Sequence, residues 1–284
     1  MCIAGTMSAA VRVLCLSACR NATQQWMVGD ALMVSPVTTN VTSVINPHFT
    51  SGAWYSAWDR TRLDSKGETV RMDIPLGDIA VHLRGGAIVP MQQYALVTRD
   101  VRWSPVNLVV ALPAAAAPKS KTNAASGPVL PYAMEQQCAD ARSSNAGKLV
   151  SCGLLYADND SPQITDANSL QTWFTAVTNK EGDSGVISST VAAVSPELKD
   201  RLRITQIEVI GLPKHASSSK APRSKLTQAR TSMEAWAGNR PAVSVGARST
   251  QGATAEFDGA KGVLRITGLN LLVTEPFSIN WHMA

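Results

Sequence analysis

The chain has 284 residues, 45% of them hydrophobic and 17% charged, with a formal net charge of +5. That length holds one large domain or two of ordinary size, and the apolar share suffices for a packed core. The composition excludes collagen-like and low-complexity architectures, and no run of about 18 apolar residues offers a transmembrane segment. The positive excess gathers at Lys119 and Lys121 and at Lys214, Lys220, Arg223, Lys225 and Arg230, among Ser, Ala and Pro. Nucleic-acid binders concentrate their base in a stripe or motif. These scattered cations read instead as solvated basic loops, and no nucleic-acid partner is expected.

In chain order, residues 1–21 form an atypical start. The apolar run from Ala9 to Leu16 is interrupted by Arg12 and lacks the basic start and long core of a signal peptide. Asn21-Ala22-Thr23 and Asn40-Val41-Thr42 fit the glycosylation pattern and permit a secretory route. Leu32-Met33-Val34 is a buried-strand candidate stopped by Pro36. Residues 38–45, rich in Thr and Val, favour another strand. Asn46-Pro47 and Ser51-Gly52 turn the chain, and Asp64-Ser65-Lys66-Gly67 reads as a hairpin loop. Residues 68–74 alternate polar and apolar, as one half-exposed strand should.

The run Val81-His82-Leu83-Arg84-Gly85-Gly86-Ala87-Ile88-Val89-Pro90 is the most informative stretch. It joins a half-buried strand to a double glycine and then to a strand-stopping proline. Two adjacent glycines allow backbone angles closed to other residues, or close approach of a second segment. Residues 106–112 form a strongly apolar strand. Strand character resumes at 149–150 and 154–156, then over 170–177, 185–194 and 202–210. The closing strands fall at Phe257, 263–266, 271–273 and 277–279. Short strands with frequent turns predict an all-β chain, and its apolar faces require a second sheet to cover them.

Three ordered pieces carry a resemblance. They are Gly29-Asp30-Ala31-Leu32-Met33-Val34-Ser35-Pro36-Val37, then Gly52-Ala53-Trp54-Tyr55-Ser56-Ala57-Trp58, then Pro75-Leu76 through the Arg84-Gly85-Gly86 run to Pro90. Their order resembles glycoside hydrolase family 31, the α-glucosidase family, in the β-sandwich that follows its catalytic barrel. Gly153-Leu154-Leu155-Tyr156-Ala157-Asp158-Asn159-Asp160 is similar to a strand and acidic turn of the family's distal C-terminal domain. The ending from Leu264 to Trp281 is similar too. The resemblance is strong over residues 22–112, moderate over 149–212 and 256–282, and absent over 1–20. It departs at Asn159 and Asp160, where the family more often has an acidic residue and a glycine.

The resemblance implies two β-sandwich domains as found C-terminal to a (β/α)8 catalytic barrel, with the barrel itself absent. The divisions expected are 22–112 for the proximal sandwich, 113–148 for a linker or irregular insertion, and 149–284 for the distal sandwich, with a basic loop near 213–232. Retaining glycoside hydrolysis needs two carboxyl groups roughly 5 Å apart, one a nucleophile and one an acid then base. The family carries both aspartates on the barrel. No residue here matches either, so no catalytic residue is carried over. The implied partner is the catalytic barrel of the same parent polypeptide, with an α-glucoside substrate reached only through it. The implied compartment of such a parent is the secretory pathway, lysosome or ER. The alternative reading is a free-standing β-sandwich module that binds glycans or a protein partner.

Individual residues sharpen these expectations. Asp158 and Asp160 stand two apart, so on a strand they share a side. An acidic turn explains them more simply than a dyad, a calcium contact or a sugar contact. Trp54, Tyr55 and Trp58 could stack on sugars, but aromatics more often pack cores and interfaces. Arg84 is expected to pair with an acidic group or carbonyls at the barrel interface, and His82 to be a scaffold histidine. The histidines His48, His82, His215 and His282 are scattered, and Cys15 and Cys19 have no second pair at metal-ligand spacing. No metal site and no cofactor are therefore expected. Cys138 and Cys152 could bridge a local loop in an oxidising compartment, and five cysteines leave at least one thiol over within a single chain.

Overall fold

The structure, a computed structural model, describes residues 2–3, 11–12, 25–38, 43–114, 138, 140–159, 165, 168–213, 242–245 and 253–283. Residues 39–42 of the strand expected over 38–45, most of the 113–148 segment, Asp160 with Ser161, and most of the basic loop near 213–232 lie outside them.

The first part of the chain runs through β1 (Cys2–Ile3), β2 (Val11–Arg12), β3 (Trp26–Val28), β4 (Leu32–Ser35), β5 (Val44–Ile45), β6 (His48–Phe49), β7 (Gly52–Ser56) and β8 (Arg62–Ser65). It continues with β9 (Glu68–Thr69), β10 (Met72–Asp73), β11 (Ala80–Arg84), β12 (Ile88–Gln92), the short helix α1 (Thr98–Arg102) and β13 (Val106–Ala111). The rest comprises β14 (Leu149–Asp158), β15 (Ser169–Thr178), β16 (Ser184–Val194), β17 (Arg203–Ile210), β18 (Ala242–Val245), β19 (Thr254–Asp258), β20 (Val263–Leu272) and β21 (Ser278–His282).

Three sheets are stacked. One outer sheet has the order β2-β3-β4-β11-β7-β8, the central sheet β1-β12-β13-β17-β20-β19, and the other outer sheet β14-β15-β16-β21-β18. The core lies on both faces of the central sheet. Leu108, Val110, Ile207, Val209 and Leu264 pack with Leu155, Leu170, Phe174, Ile187 and Trp281 of the second outer sheet. Val89, Val109, Ala111, Ile210 and Val263 pack with Leu32, Ala53, Tyr55 and Leu83 of the first. Side chains alternate across a strand, so adjacent residues such as Leu108 and Val109 serve different cores. This is why the sequence from Leu108 to Leu112 reads as a continuous apolar run. The two sandwiches share the central sheet.

The β13–β17 pair is parallel, with Leu108 opposite Ile207 and Val110 opposite Val209. Parallel neighbours need a long crossover. Here the crossover contains β14, β15 and β16, the meander of the second outer sheet.

Several local expectations shift. Pro90 does not stop a strand: it lies inside β12, opposite Leu108. Among the described residues only the two-residue β1 pairs beyond β12, at Met91 and Gln92, so the missing N–H is tolerated near a sheet edge. Asp64 and Ser65 are not loop but the end of β8, opposite Ala53 and Gly52. Residues 68–74 split into β9 and β10, which pair with β6 and β5 in separate two-stranded ribbons. The break falls opposite Pro47, whose carbonyl accepts from Val70 N–H (2.9 Å) but which has no N–H to return. The closing segments at 263–266 and 271–273 largely merge into the ten-residue β20, and α1 was not anticipated.

Candidate functional site

The double glycine stands where all three sheets meet. Gly85 donates to the Ala53 carbonyl (2.7 Å), Gly86 donates to the Ala111 carbonyl (2.8 Å), and Cys152 N–H donates to the Gly86 carbonyl (3.1 Å). The two glycines act by the two different means available to them. A Cβ on Gly85 would stand 2.8 Å from the Leu112 carbonyl oxygen and 2.9 Å from that of Ala53. Gly86 has φ +93°, a conformation that L side chains rarely adopt. Ser151 Oγ donates to the Ala111 carbonyl (2.8 Å), and the buried Tyr55 hydroxyl donates to that of Leu112 (2.7 Å). Burial pushes the Tyr55 phenol up to about 12, so it remains a donor. Cys138 and Cys152 are joined by a disulfide at this same corner.

A buried ion cluster ties the first outer sheet to the central one. Glu208 accepts from Arg60 Nε at 2.9 Å and from Arg265 Nε at 3.1 Å, and Arg60 Nη2 lies 2.9 Å from the same carboxylate. Arg60 also donates to the Ala57 carbonyl and has φ 65°. That left-handed backbone is uncommon for a residue with a Cβ. Sequence reasoning missed the cluster. Its signal was Glu208 alone among Ile207, Val209 and Ile210, a charge on a strand with both faces buried.

The structure separates the aromatic trio. Trp54 and Tyr55 are buried, and Trp54 Nε1 donates to the Thr50 carbonyl (2.9 Å). Only Trp58 reaches the surface, 55% exposed. A sugar-stacking strip of all three is therefore not formed. Asp158 ends β14 and pairs with Arg102, whose guanidinium also donates to the Asp158 carbonyl (2.7 Å) and lies over Trp103. Asp160, two residues on in the expected acidic turn, lies outside the described residues. Arg84 is exposed, and no acidic partner for it lies among the described residues.

A surface pocket of about 430 Å³ opens beside β11, lined among others by Ser56, Trp58, Asp59, Asp73, Asp78 and His82. His82 is only 7% exposed and stands edge-on to Phe49, ring centroids 4.9 Å apart. Burial brings its pKa down to about 4, opposed by the nearby Asp59, so the ring is neutral at pH 7. Asp59 is held down at about 2 by side-chain hydrogen bonds from Ser56 and Thr61. Among the described residues, no three His, Cys, Asp or Glu side chains converge as metal ligands.

Residues 15–89 match the family described as glycosyl hydrolase family 31 C-terminal domain. The match begins within the first twenty residues, where the sequence reading found no resemblance. The chain is 34% identical to Alpha-xylosidase 1 of Arabidopsis thaliana over 100 residues, 34% of this chain and 11% of that protein. It is 42% identical to an Alpha-glucosidase of Schizosaccharomyces pombe over 93 residues, 31% of this chain and 10% of that one. In fold it is similar to glucosidase II alpha subunit, with a TM-score of 0.59 and 15% identity over 92% of this chain and 24% of that chain. A Flavobacterium johnsoniae GH31 dextranase gives 0.55 and 13%, over 91% and 26%. The chain thus spans about a quarter of these solved structures, and the aligned segment about a tenth of the curated relatives.

Proposed function

We propose that this chain, whose residues 15–89 match the glycosyl hydrolase family 31 C-terminal domain, is the non-catalytic C-terminal part of an α-glucosidase-like retaining enzyme. In this reading residues 22–112 and 149–284 brace the catalytic barrel of the same parent polypeptide and position its loops. The parent removes terminal α-linked glucose, and the substrate meets that barrel rather than these sheets. The observation that carries the reading is the fold match across 92% of this chain to about a quarter of glucosidase II alpha subunit.

Two carboxylates that stand out in the sequence are committed to ion pairs. Asp158 is held by Arg102, and Glu208 by Arg60 and Arg265. Retaining hydrolysis instead needs two carboxyls facing each other across a sugar. The glycan-binding alternative loses its aromatic strip, because Trp54 and Tyr55 are core residues. Large apolar side chains at Leu76, Tyr94, Leu96 and Val97 are exposed, as a surface covered in a longer polypeptide would be.

The test is hydrolysis of p-nitrophenyl α-D-glucoside by the purified 284-residue chain. No turnover above buffer is expected. Turnover by the folded chain, abolished by a substitution within it, overturns the proposal.

A further inference from the structure

We propose that the ribbon formed by residues 43–49 and 68–74 is an acid-released flap: protonation of His82 beneath it lifts the ribbon from the first outer sheet while the three stacked sheets stay folded. The device goes beyond the family 31 reading and does not depend on it.

β11 sets His82 directly opposite Met33 of β4 and Ser56 of β7. Directly opposed residues share a sheet face, so His82 stands with Met27, Met33 and Trp54 on the outer face. The Tyr55–Leu83 face, on the other side, packs on the central sheet. The ribbon covers the outer face. Within it β6 pairs with β9 and β5 with β10, Val70 N–H donates to the Pro47 carbonyl (2.9 Å), and Ile74 N–H donates to that of Ser43 (2.8 Å). Phe49, with Val70 and Met72, closes a third small core over Met27, Met33 and Trp54. Side chains fasten the ribbon to the sheet. Gln25 exchanges hydrogen bonds with the His48 carbonyl (3.0 Å) and N–H (3.1 Å), and Trp54 Nε1 donates to the Thr50 carbonyl (2.9 Å).

His82 Nδ1 is buried and has no hydrogen-bond partner, and the ring lies against Phe49. A neutral imidazole can leave one nitrogen bare, but in the imidazolium both nitrogens are donors. The Phe49 ring offers no oxygen to that new N–H, and a buried charge without such a partner is costly. The charged groups around the site do not remove the cost. Asp59, on the turn after β7, attracts the charge, but its carboxylate already accepts from Thr61 N–H (3.1 Å) and Oγ1 (2.6 Å). Asp73 and Asp78 are exposed and screened by water. Arg84, two residues along the same face of β11, repels a second cation. On the ribbon, Glu68 and Arg71 are exposed, and His48 Nδ1 meets Thr69 Oγ1 at 3.3 Å in an exposed contact. Lifting the ribbon instead hands the imidazolium to water. Burial holds the covered ring at a pKa of about 4, against about 6.5 for a solvated one, so acid favours the open form. Between pH 7 and pH 4.5 the open fraction rises about fiftyfold.

The test is amide hydrogen exchange of the ¹⁵N-labelled full chain at pH 7 and pH 4.5, corrected for intrinsic rates and repeated over sub-denaturing urea concentrations. The Val70 and Ile74 amides are expected to exchange through an opening with little urea dependence, smaller than the one that frees the β13 and β17 amides. Their protection is expected to fall about fiftyfold from pH 7 to pH 4.5. His82→Gln is expected to abolish that fall, with His82→Phe serving the same purpose if the glutamine variant does not fold. His48→Gln is expected to keep it. Exchange of Val70 and Ile74 with the urea slope of β13 and β17 would mean that the ribbon opens only with the whole molecule, which overturns the proposal without recourse to any variant. An equal fall in the parent and in a His82 variant overturns it too, because another group then drives the opening. Neither result bears on the absence of hydrolysis.

Discussion

Glu208→Gln removes one charge from the buried cluster while keeping the side chain's volume. Arg60 addresses Glu208 Oε2 through Nε and Nη2, both at 2.9 Å, and keeps only 13% side-chain exposure. Arg265 addresses Oε1 at 3.1 Å and is 38% exposed. Losing one partner of a buried pair costs about 3–5 kcal/mol, because the other charge stays desolvated. Arg60 holds residual access to water, which places Glu208→Gln near the lower end, at about 3 kcal/mol. Arg265→Ala should cost less than about 1 kcal/mol, because its guanidinium remains solvated. The joint replacement Glu208→Leu, Arg60→Met removes both charges and should return to within about 1 kcal/mol of the parent chain. Urea unfolding followed by far-UV circular dichroism reads these stabilities, and that of Arg60→Ala for comparison, provided the m-value is constant. A cost below about 1 kcal/mol for Glu208→Gln, or an Arg265→Ala cost as large as that of Arg60→Ala, would refute the reasoning.

Gly85→Ala places a Cβ within 2.9 Å of two backbone carbonyl oxygens. It should cost about 1–3 kcal/mol from overpacking, which urea curves of the variant and the parent chain decide. His82 has a folded pKa near 4 against about 6.5 unfolded, so on acidification the unfolded chain takes up the proton first. Its contribution is complete above pH 6.5 and falls away towards pH 4, by up to about 3 kcal/mol. Stability measured at pH 7 and pH 4.5 should therefore differ less in His82→Gln than in the parent, and an identical difference contradicts the burial argument. The Cys138–Cys152 bridge spans a separation of 14 residues, a loop whose closure contributes about 3 kcal/mol in the chain-entropy model. A non-reducing peptide map should show the linked peptides, and reduction should lower the urea midpoint.

Much of this fold follows from local chemistry. The runs at 106–112, 170–177, 185–194 and 202–210 are strands in the structure within a few residues, because a chain buried on alternating sides betrays itself in its side-chain pattern. The need for two glycines between β11 and β12 was also readable. So was the core role of Trp54 and Tyr55, which follows from large aromatic surfaces seeking burial.

What the sequence could not convey is which strands become neighbours. Strand pairing is made by backbone groups common to every residue, so no side chain announces that Val110 will lie beside Val209. The same limit hid that adjacent residues of β13 feed two different cores. It also hid why Pro90 can sit within a strand, since the tolerance depends on how little pairs beyond β12. The two glycines are alike in the sequence, yet only the packed molecule assigns one to close approach and the other to a positive φ. Glu208 shows the division most sharply. Its charge stands out in an apolar strand, but its partners lie 148 and 57 residues away. Only the stacking of the sheets brings both guanidiniums to one carboxylate, because a buried charge is stable only where the fold delivers its counter-charges.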